Sequence, residues 1–150
     1  MDIRLLSDKE KPPMDLLLLA DPSPKMVEEY LKEGESYIAE SDNQLIGIYV
    51  LLPTRPETVE IVNVAVAEKY QGRGIGKFLV VDAIKRAKGK GYKTIEIGTG
   101  NSSIGQLALY QKFGFRITGI DIDFFMRHYQ EEIVENGIQC RDMIRLSQDL

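Results

Sequence analysis

The segment from Thr58 to Gly98 constrains the fold more than any other. Thr58–Val66 is dense in Val and Ile and reads as a strand. Gln71-Gly72-Arg73-Gly74-Ile75-Gly76 then forms a glycine-rich turn. Beyond it Ile75, Leu79, Ala83 and Ala87 recur at four-residue spacing, with Val80 and Ile84 beside them, which is the apolar stripe of an amphipathic helix. Lys85, Arg86, Lys88 and Lys90 crowd the end of that helix, where cations oppose its dipole, and Gly89 and Gly91 stop it. Thr94–Gly98 is the next strand. Strand, helix and strand in this order predict a parallel pair joined by a right-handed crossover.

A strand that feeds a glycine-rich turn and then a helix makes an anion site. The first N–H groups of a helix have no partner within it, and the dipole adds positive potential. Glycines remove side chains that would block close approach. The ligand expected there is a phosphate group. A Walker loop would need Gly five residues before Gly76, where Gln71 stands, and Ser or Thr after Lys77, where Phe78 stands. A Rossmann turn would need a third glycine where Lys77 stands. Neither nucleotide pattern fits.

The flanking sequence is read more coarsely. Asp2–Leu6 is a first strand, Met14–Ala20 a short apolar helix, and Pro24 opens a second helix over Lys25–Lys32. Ser36–Glu40 and Leu45–Leu52 form a hairpin across Ser41-Asp42-Asn43-Gln44, and Pro53-Thr54-Arg55-Pro56 is a turn. Ser103–Phe113 reads as a helix with Ser103-Ile104-Gly105-Gln106 as a capping box. Phe115–Phe125 and Ile138–Leu146 read as an antiparallel pair that closes the sheet, joined by a polar connection, Met126–Gly137. The predicted architecture is α/β: one domain over residues 1–150, its mixed sheet mostly antiparallel with a single central parallel crossover.

Bulk properties exclude other classes. With 150 residues the chain is expected to build one core. A net charge of -4 disfavours nucleic acid and anionic membranes, which need a basic face. The amino terminus is acidic and polar, unlike a signal peptide, and Leu16–Ala20 is too short to span a bilayer. The single cysteine, Cys140, cannot form an internal disulfide and is read as an ordinary strand residue. A cytoplasmic location is expected, and a homodimer is compatible with all of this.

Two motifs together resemble a known family. Val64-Ala65-Val66, a short spacer and Gln71-x-x-Gly74-x-Gly76 look like the core signature of the GCN5-related N-acetyltransferases. Leu109-Tyr110-x-x-Phe113-Gly114-Phe115 resembles that family's later helix ending, and the order of elements matches across essentially the whole chain. The resemblance implies acetyl-CoA as acetyl donor. Its pyrophosphate would sit on the N–H groups of Gly72, Arg73, Gly74, Ile75, Gly76 and Lys77, and its pantetheine arm along the backbone of Val64, Ala65 and Val66. The family often has Asn seven residues before the tyrosine and Ala four before it, where this chain has Ser103 and Gln106. Asn101 lies two residues earlier. Two roles stay open for Asn101 and Ser103, contact with the pantetheine by either or helix capping by both, with capping expected of at least one.

The implied reaction moves acetyl to an amine, small molecule or protein amino group. The ammonium must lose a proton, the oxyanion needs a donor, and the thiolate needs a proton. Tyr110 stands at the family's general-acid position, and a phenol with a pKa of about 10 is protonated at neutral pH. Glu60 opens the strand where protein-lysine acetylating members carry a catalytic Glu, acting directly or through a water. Glu96 on the next strand is the competing base, and His128 is a weaker candidate. Alternative readings are an acetyl-CoA-binding module without turnover and a nucleotide-binding domain. The acceptor is expected beside the connection between the last two strands, helped by the amino-terminal helices. Alternation there puts Asp121 and Asp123 on one face, away from a core face of Ile120, Ile122 and Phe124. Glu131, Glu132, Glu135, Phe125 and Tyr129 lie nearby in sequence.

Overall fold

The strand, turn, helix and strand read from residues 58–98 are all present in the computed structural model, which describes residues 1–150. Strand β1 is Asp2–Leu5, helix α1 Met14–Ala20 and helix α2 Pro24–Glu33. Ser23 caps α2 by accepting the Met26 N–H at 3.2 Å, and Pro24 fills the first position, where no amide donor is needed. Strands β2 (Glu35–Ser41), β3 (Gln44–Arg55) and β4 (Thr58–Val66) form an antiparallel meander. Helix α3 is Ile75–Gly89, strand β5 Thr94–Gly100 and helix α4 Ile104–Lys112. After them come β6 (Arg116–Asp121), α5 (Phe124–His128), the small hairpin β7 (Val134–Glu135) and β8 (Ile138–Gln139), and β9 (Met143–Asp149).

The main sheet has seven strands in the order β1-β2-β3-β4-β5-β9-β6, and β4–β5 is its parallel pair. Every other pairing is antiparallel. Helices cover both faces. On one side Leu79, Val80, Ala83 and Ala87 of α3 and Tyr110 of α4 pack against Val59, Ile61, Ile95, Ile97 and Leu146. On the other, Leu16 and Leu17 of α1 and Val27 of α2 pack against Ile38, Ile48, Val50 and Ala65.

Four local readings are corrected. The turn before β4 is Pro56–Glu57, where Glu57 adopts φ 61°, and β3 runs through Pro53 to Arg55. Pro53 is accommodated because the register with β4 shifts between Pro53 and Arg55. Phe124 and Phe125 are helical, not strand: Asp123 turns left-handed at φ 62° and starts α5. The last strand begins at Met143 rather than Ile138, because the alternation of buried Ile144 and Leu146 sets its register beside β5. Ile120 and Ile122, expected on a core face, are 55% and 59% exposed on the outer strand of the sheet and just beyond it.

Candidate active site

The site begins with an irregularity in β4. Val50 pairs with Asn63 and Leu51 with Ile61, so Val62 has no partner in β3. This bulge moves the alternation by one residue. Ile61, Val64 and Val66 all pack toward α3, while Asn63 and Ala65 turn toward α1. It also marks where β4 leaves β5. The two strands pair from Thr58–Thr94 to Ile61–Ile97, and from there β5 pairs only with β9. The edge of β4 from Val62 to Val66 is left open.

Two adjoining cavities fill the resulting cleft. One of about 310 Å³ is lined by Val64, Ala65, Val66, Gln71, Gly76 and Tyr110 among others. The second, of about 320 Å³, lies between the diverging strands and is bounded by Leu19–Pro22, α4, α5 and the β7–β8 hairpin. Val64, Gln106 and Tyr110 line both.

The glycine turn lies at the end of the first cavity. Gly72 and Gly74 adopt φ of 79° and 80°, which only glycine holds without strain, and a Cβ on either would meet nothing within 4 Å. The first helical bond of α3 runs from the Phe78 N–H to the Gly74 carbonyl at 3.2 Å, so the amides of Ile75, Gly76 and Lys77 are free of the helix. Arg73 and Lys77 are exposed beside them. Gln71 donates its side-chain amide to the Val66 carbonyl at 3.0 Å and ties the turn to the end of β4. A diphosphate fits this ring of donors, and an extended polar chain fits the open strand edge that leads from it.

Tyr110 is 4% exposed and stacks edge-on against Phe115 at 6.2 Å. Burial alone pushes its phenol up to about 12, because no charged group lies near enough to act on it. Its hydroxyl has no hydrogen-bond partner in the protein and opens on the junction of the cavities. The phenol is therefore fully protonated and free to donate.

Glu60 does not line this junction. Ile144 and Leu146 of β9 face the α3 core, so Met143 and Arg145 point to the other face. Met143 lines the second cavity, and Arg145 reaches Glu60 at 3.9 Å. Glu60 thus shares the sheet face of Met143 and Arg145 and lines neither cavity. Its side chain is 19% exposed, and burial, with Glu96 adding to it, raises its carboxyl despite Arg145 and Arg55. Glu96 is engaged by Arg55 at 2.6 Å and Thr54 at 3.2 Å.

The remaining candidates fall away from this constellation or take other roles. The capping box does not form. The Ser103 hydroxyl bonds Glu135 at 2.9 Å, and Gln106 accepts from Thr99 at 3.0 Å, so both side chains are spent across the cleft. Asn101 caps nothing either: it accepts the Arg141 and Asp142 N–H groups at 2.7 and 2.9 Å and donates to the Gln139 carbonyl at 3.1 Å. His128 is exposed at the end of α5, 4.6 Å from the Phe124 ring. Cys140 lies between β8 and β9 rather than in a strand, and burial pushes its thiol up, away from nucleophilic chemistry. Asp121 pairs with Arg127 at 2.7 Å and Asp123 with Arg141 at 3.0 Å, both outside the cavities.

Sequence reasoning missed a polar cluster on the α1 side. Asp21, 9% exposed at the end of α1, accepts the hydroxyls of Tyr129 at 2.7 Å and Tyr30 at 3.1 Å and the Ser23 N–H at 3.2 Å. Asn63 donates to the Tyr30 hydroxyl at 2.8 Å and the Leu17 carbonyl at 3.0 Å. Asp21 and Tyr129 are 108 residues apart, and Asp21-Pro22-Ser23-Pro24 reads in sequence only as punctuation.

An open strand edge leading from a glycine-ringed anion site, with a free buried phenol where two cavities meet, is the architecture of an acetyl-CoA-dependent acyltransferase. Residues 6–115 match the model of the acetyltransferase (GNAT) family, and the chain belongs to that family. It is an N-acetyltransferase that uses acetyl-CoA as cosubstrate.

Among its relatives, the N-acetyltransferase YvbK of Bacillus subtilis (strain 168) is 67% identical over 136 residues, covering 91% of this chain and 88% of YvbK. A GNAT family acetyltransferase from Elizabethkingia anophelis, solved with acetyl-CoA bound, superposes with a TM-score of 0.96 at 54% identity over 99% of this chain and 97% of its own. A Bacillus subtilis acetyltransferase in complex with CoA gives 0.92 at 63% identity over 99% and 97%. No helix is long and apolar enough to cross a membrane.

Proposed function

We propose that residues 1–150 form one cytoplasmic enzyme domain that moves acetyl from acetyl-CoA to a primary amine by direct attack. The observation that carries this reading is Tyr110: its ring is buried, while its protonated hydroxyl has no protein partner and opens on the junction of the cavities. In this reading the N–H groups from Gly72 to Lys77 hold the diphosphate and the backbone of Val64, Ala65 and Val66 pairs with the pantetheine arm as an added strand. Gln71 fixes the strand end through Val66, and Ser103 forms part of the wall. Asn101 instead braces residues 139–142.

The chemistry follows from where protons can go. Glu60 removes a proton from the bound ammonium through a water, since it lies on the sheet face of Met143 without lining either cavity. Its raised carboxyl makes it a stronger base than an exposed glutamate. Glu96 is the weaker candidate because Arg55 and Thr54 already occupy its oxygens. The amine nitrogen bonds to the thioester carbon, the carbon–sulfur bond breaks, Tyr110 gives its proton to the departing thiolate, and the second proton shed by the nitrogen as it becomes an amide returns through water in the cleft to the Tyr110 phenolate. Alignment of both reactants in the cleft contributes by proximity.

An amine panel that follows CoA thiol release tests the reading. The wild type should release CoA only with an amine present. Tyr110→Phe should lose most of the turnover while retaining acetyl-CoA affinity. Wild-type rates in Tyr110→Phe and Glu60→Gln alike would remove both residues from the mechanism.

A further inference from the structure

We propose that the second cavity selects a small amine carrying a second positive charge, which Asp21 receives; this rests on the acetyl-transfer reading above. The cavity is lined by two carboxylates, Asp21 and Glu135, and by no Lys, Arg or His. Neither carboxylate takes part in an ion pair. The nearby arginines are spent elsewhere: Arg127 and Arg141 on Asp121 and Asp123, and Arg145 on Glu60 and Asp121.

Asp21 is the deeper group. Its three donors, from Tyr129, Tyr30 and Ser23, are all neutral, so its hydrogen bonding is served while its charge is not. A buried charge without a counter-charge is costly, and a cationic ligand relieves that cost. A second, independent observation lies in the same wall. Asn63 is 4% exposed and lines the cavity, and its Oδ1 is the one buried side-chain polar atom of the protein with no hydrogen-bond partner. Because its Nδ2 faces the Leu17 carbonyl, which needs a donor, the amide orientation is fixed and Oδ1 remains an acceptor in want of one. Two carboxylates without a counter-charge, in a wall that holds no cation, suit an ammonium and disfavour an anion, and Asn63 Oδ1 behind that wall adds negative potential. Phe125 and Tyr129 supply aromatic wall alongside.

The charge must be a second one because the reacting nitrogen is neutral when it attacks. A carboxylate that met only that nitrogen would hold its proton on. A carboxylate that meets a distal cation binds the substrate without opposing the chemistry. At about 320 Å³ the cavity belongs to the lower end of small-molecule sites, which favours a short chain over a folded protein segment.

Three acceptors of equal chain length test this: 1,4-diaminobutane, butylamine and 4-aminobutyrate, whose far ends are cationic, neutral and anionic. Initial rates of acetyl-CoA consumption by the wild type should give kcat/KM at least about tenfold higher for diaminobutane than for butylamine, the size of one charge-assisted hydrogen bond, with aminobutyrate lowest. In Asp21→Asn the ratio of diaminobutane to butylamine should fall at least about fivefold, carried by KM. Should that variant not fold, Glu135→Gln, at the exposed mouth of the cavity, should lower the same ratio. Butylamine or aminobutyrate used as well as diaminobutane by the wild type overturns the charge assignment and leaves acetyl transfer standing. No acetyl transfer to any primary amine overturns both.

Discussion

Tyr110→Phe separates catalysis from stability because two buried tyrosines of this protein differ in one respect. The Tyr49 hydroxyl donates to Asp82 at 2.7 Å and accepts from Arg86 at 3.1 Å, whereas the Tyr110 hydroxyl has no protein partner. A hydrogen bond to a charged group contributes about 1.5–3 kcal/mol, so Tyr49→Phe should destabilise the fold. The Tyr110 hydroxyl opens on the cleft and bonds no protein group, so removing it should leave stability near wild type. For a chain of this size 1 kcal/mol moves Tm by about 2–4 °C, so Tyr49→Phe should lose several degrees while Tyr110→Phe stays near wild type. Turnover should show the reverse order. Tyr110→Phe keeps the ring and loses only the proton donor, which lowers kcat by about 10²-fold, while acetyl-CoA affinity stays near wild type. Thermal scans, calorimetry and CoA release on both variants complete the comparison. A Tm loss in Tyr110→Phe equal to that of Tyr49→Phe, with turnover intact, would refute the reasoning.

Gly76 has a helical φ, lies in the first turn of α3, and a Cβ there would meet only Val66 Cγ2 at 3.8 Å. Gly76→Asp should therefore raise the Tm of the free protein, by ending a helical glycine and complementing the dipole, yet abolish acetyl-CoA binding measured by calorimetry. Glu60→Gln should lower activity near neutral pH and recover it at high pH, where the amine deprotonates unaided; an unchanged pH–rate profile contradicts its role as base. The same variant informs stability. Because the folded protein raises the Glu60 carboxyl, Glu60 contributes stability while protonated and loses it as pH rises through the raised value, so Glu60→Gln should gain Tm over wild type more at pH 8 than at pH 5. Asn101→Ala should lower Tm by several degrees, since two N–H groups and a carbonyl of residues 139–142 lose their partner, at about 1 kcal/mol each.

The core of the fold was legible because it is local. The α3 stripe, the glycine turn and the Val- and Ile-rich β4 each announce themselves within a dozen residues, and their order alone implies the parallel pair. The parting of β4 and β5 beyond Ile61–Ile97 coincides with the bulge at Val62, which no local pattern announces. The carboxy-terminal third was read less well. Phe124 and Phe125 favour strands by propensity, but Asp123 turns left-handed and Phe125 and Tyr129 are needed over the cavity. Ser103 and Gln106 had capping-box spacing, and tertiary partners on the β7–β8 hairpin and β5 claimed both side chains. Asp121 and Asp123 looked like an acidic site until their arginine partners came into view. Asp21, Asn63 and Tyr129 meet only through the folded topology, which no periodicity records.

The central claim is that the cleft joins acetyl-CoA to an amine rather than to water. Mass spectrometry of a reaction containing the protein, acetyl-CoA and one primary amine measures this directly by counting acetylated amine against CoA released. The account predicts one acetylated amine for each CoA. CoA released without a matching acetylated amine would contradict it.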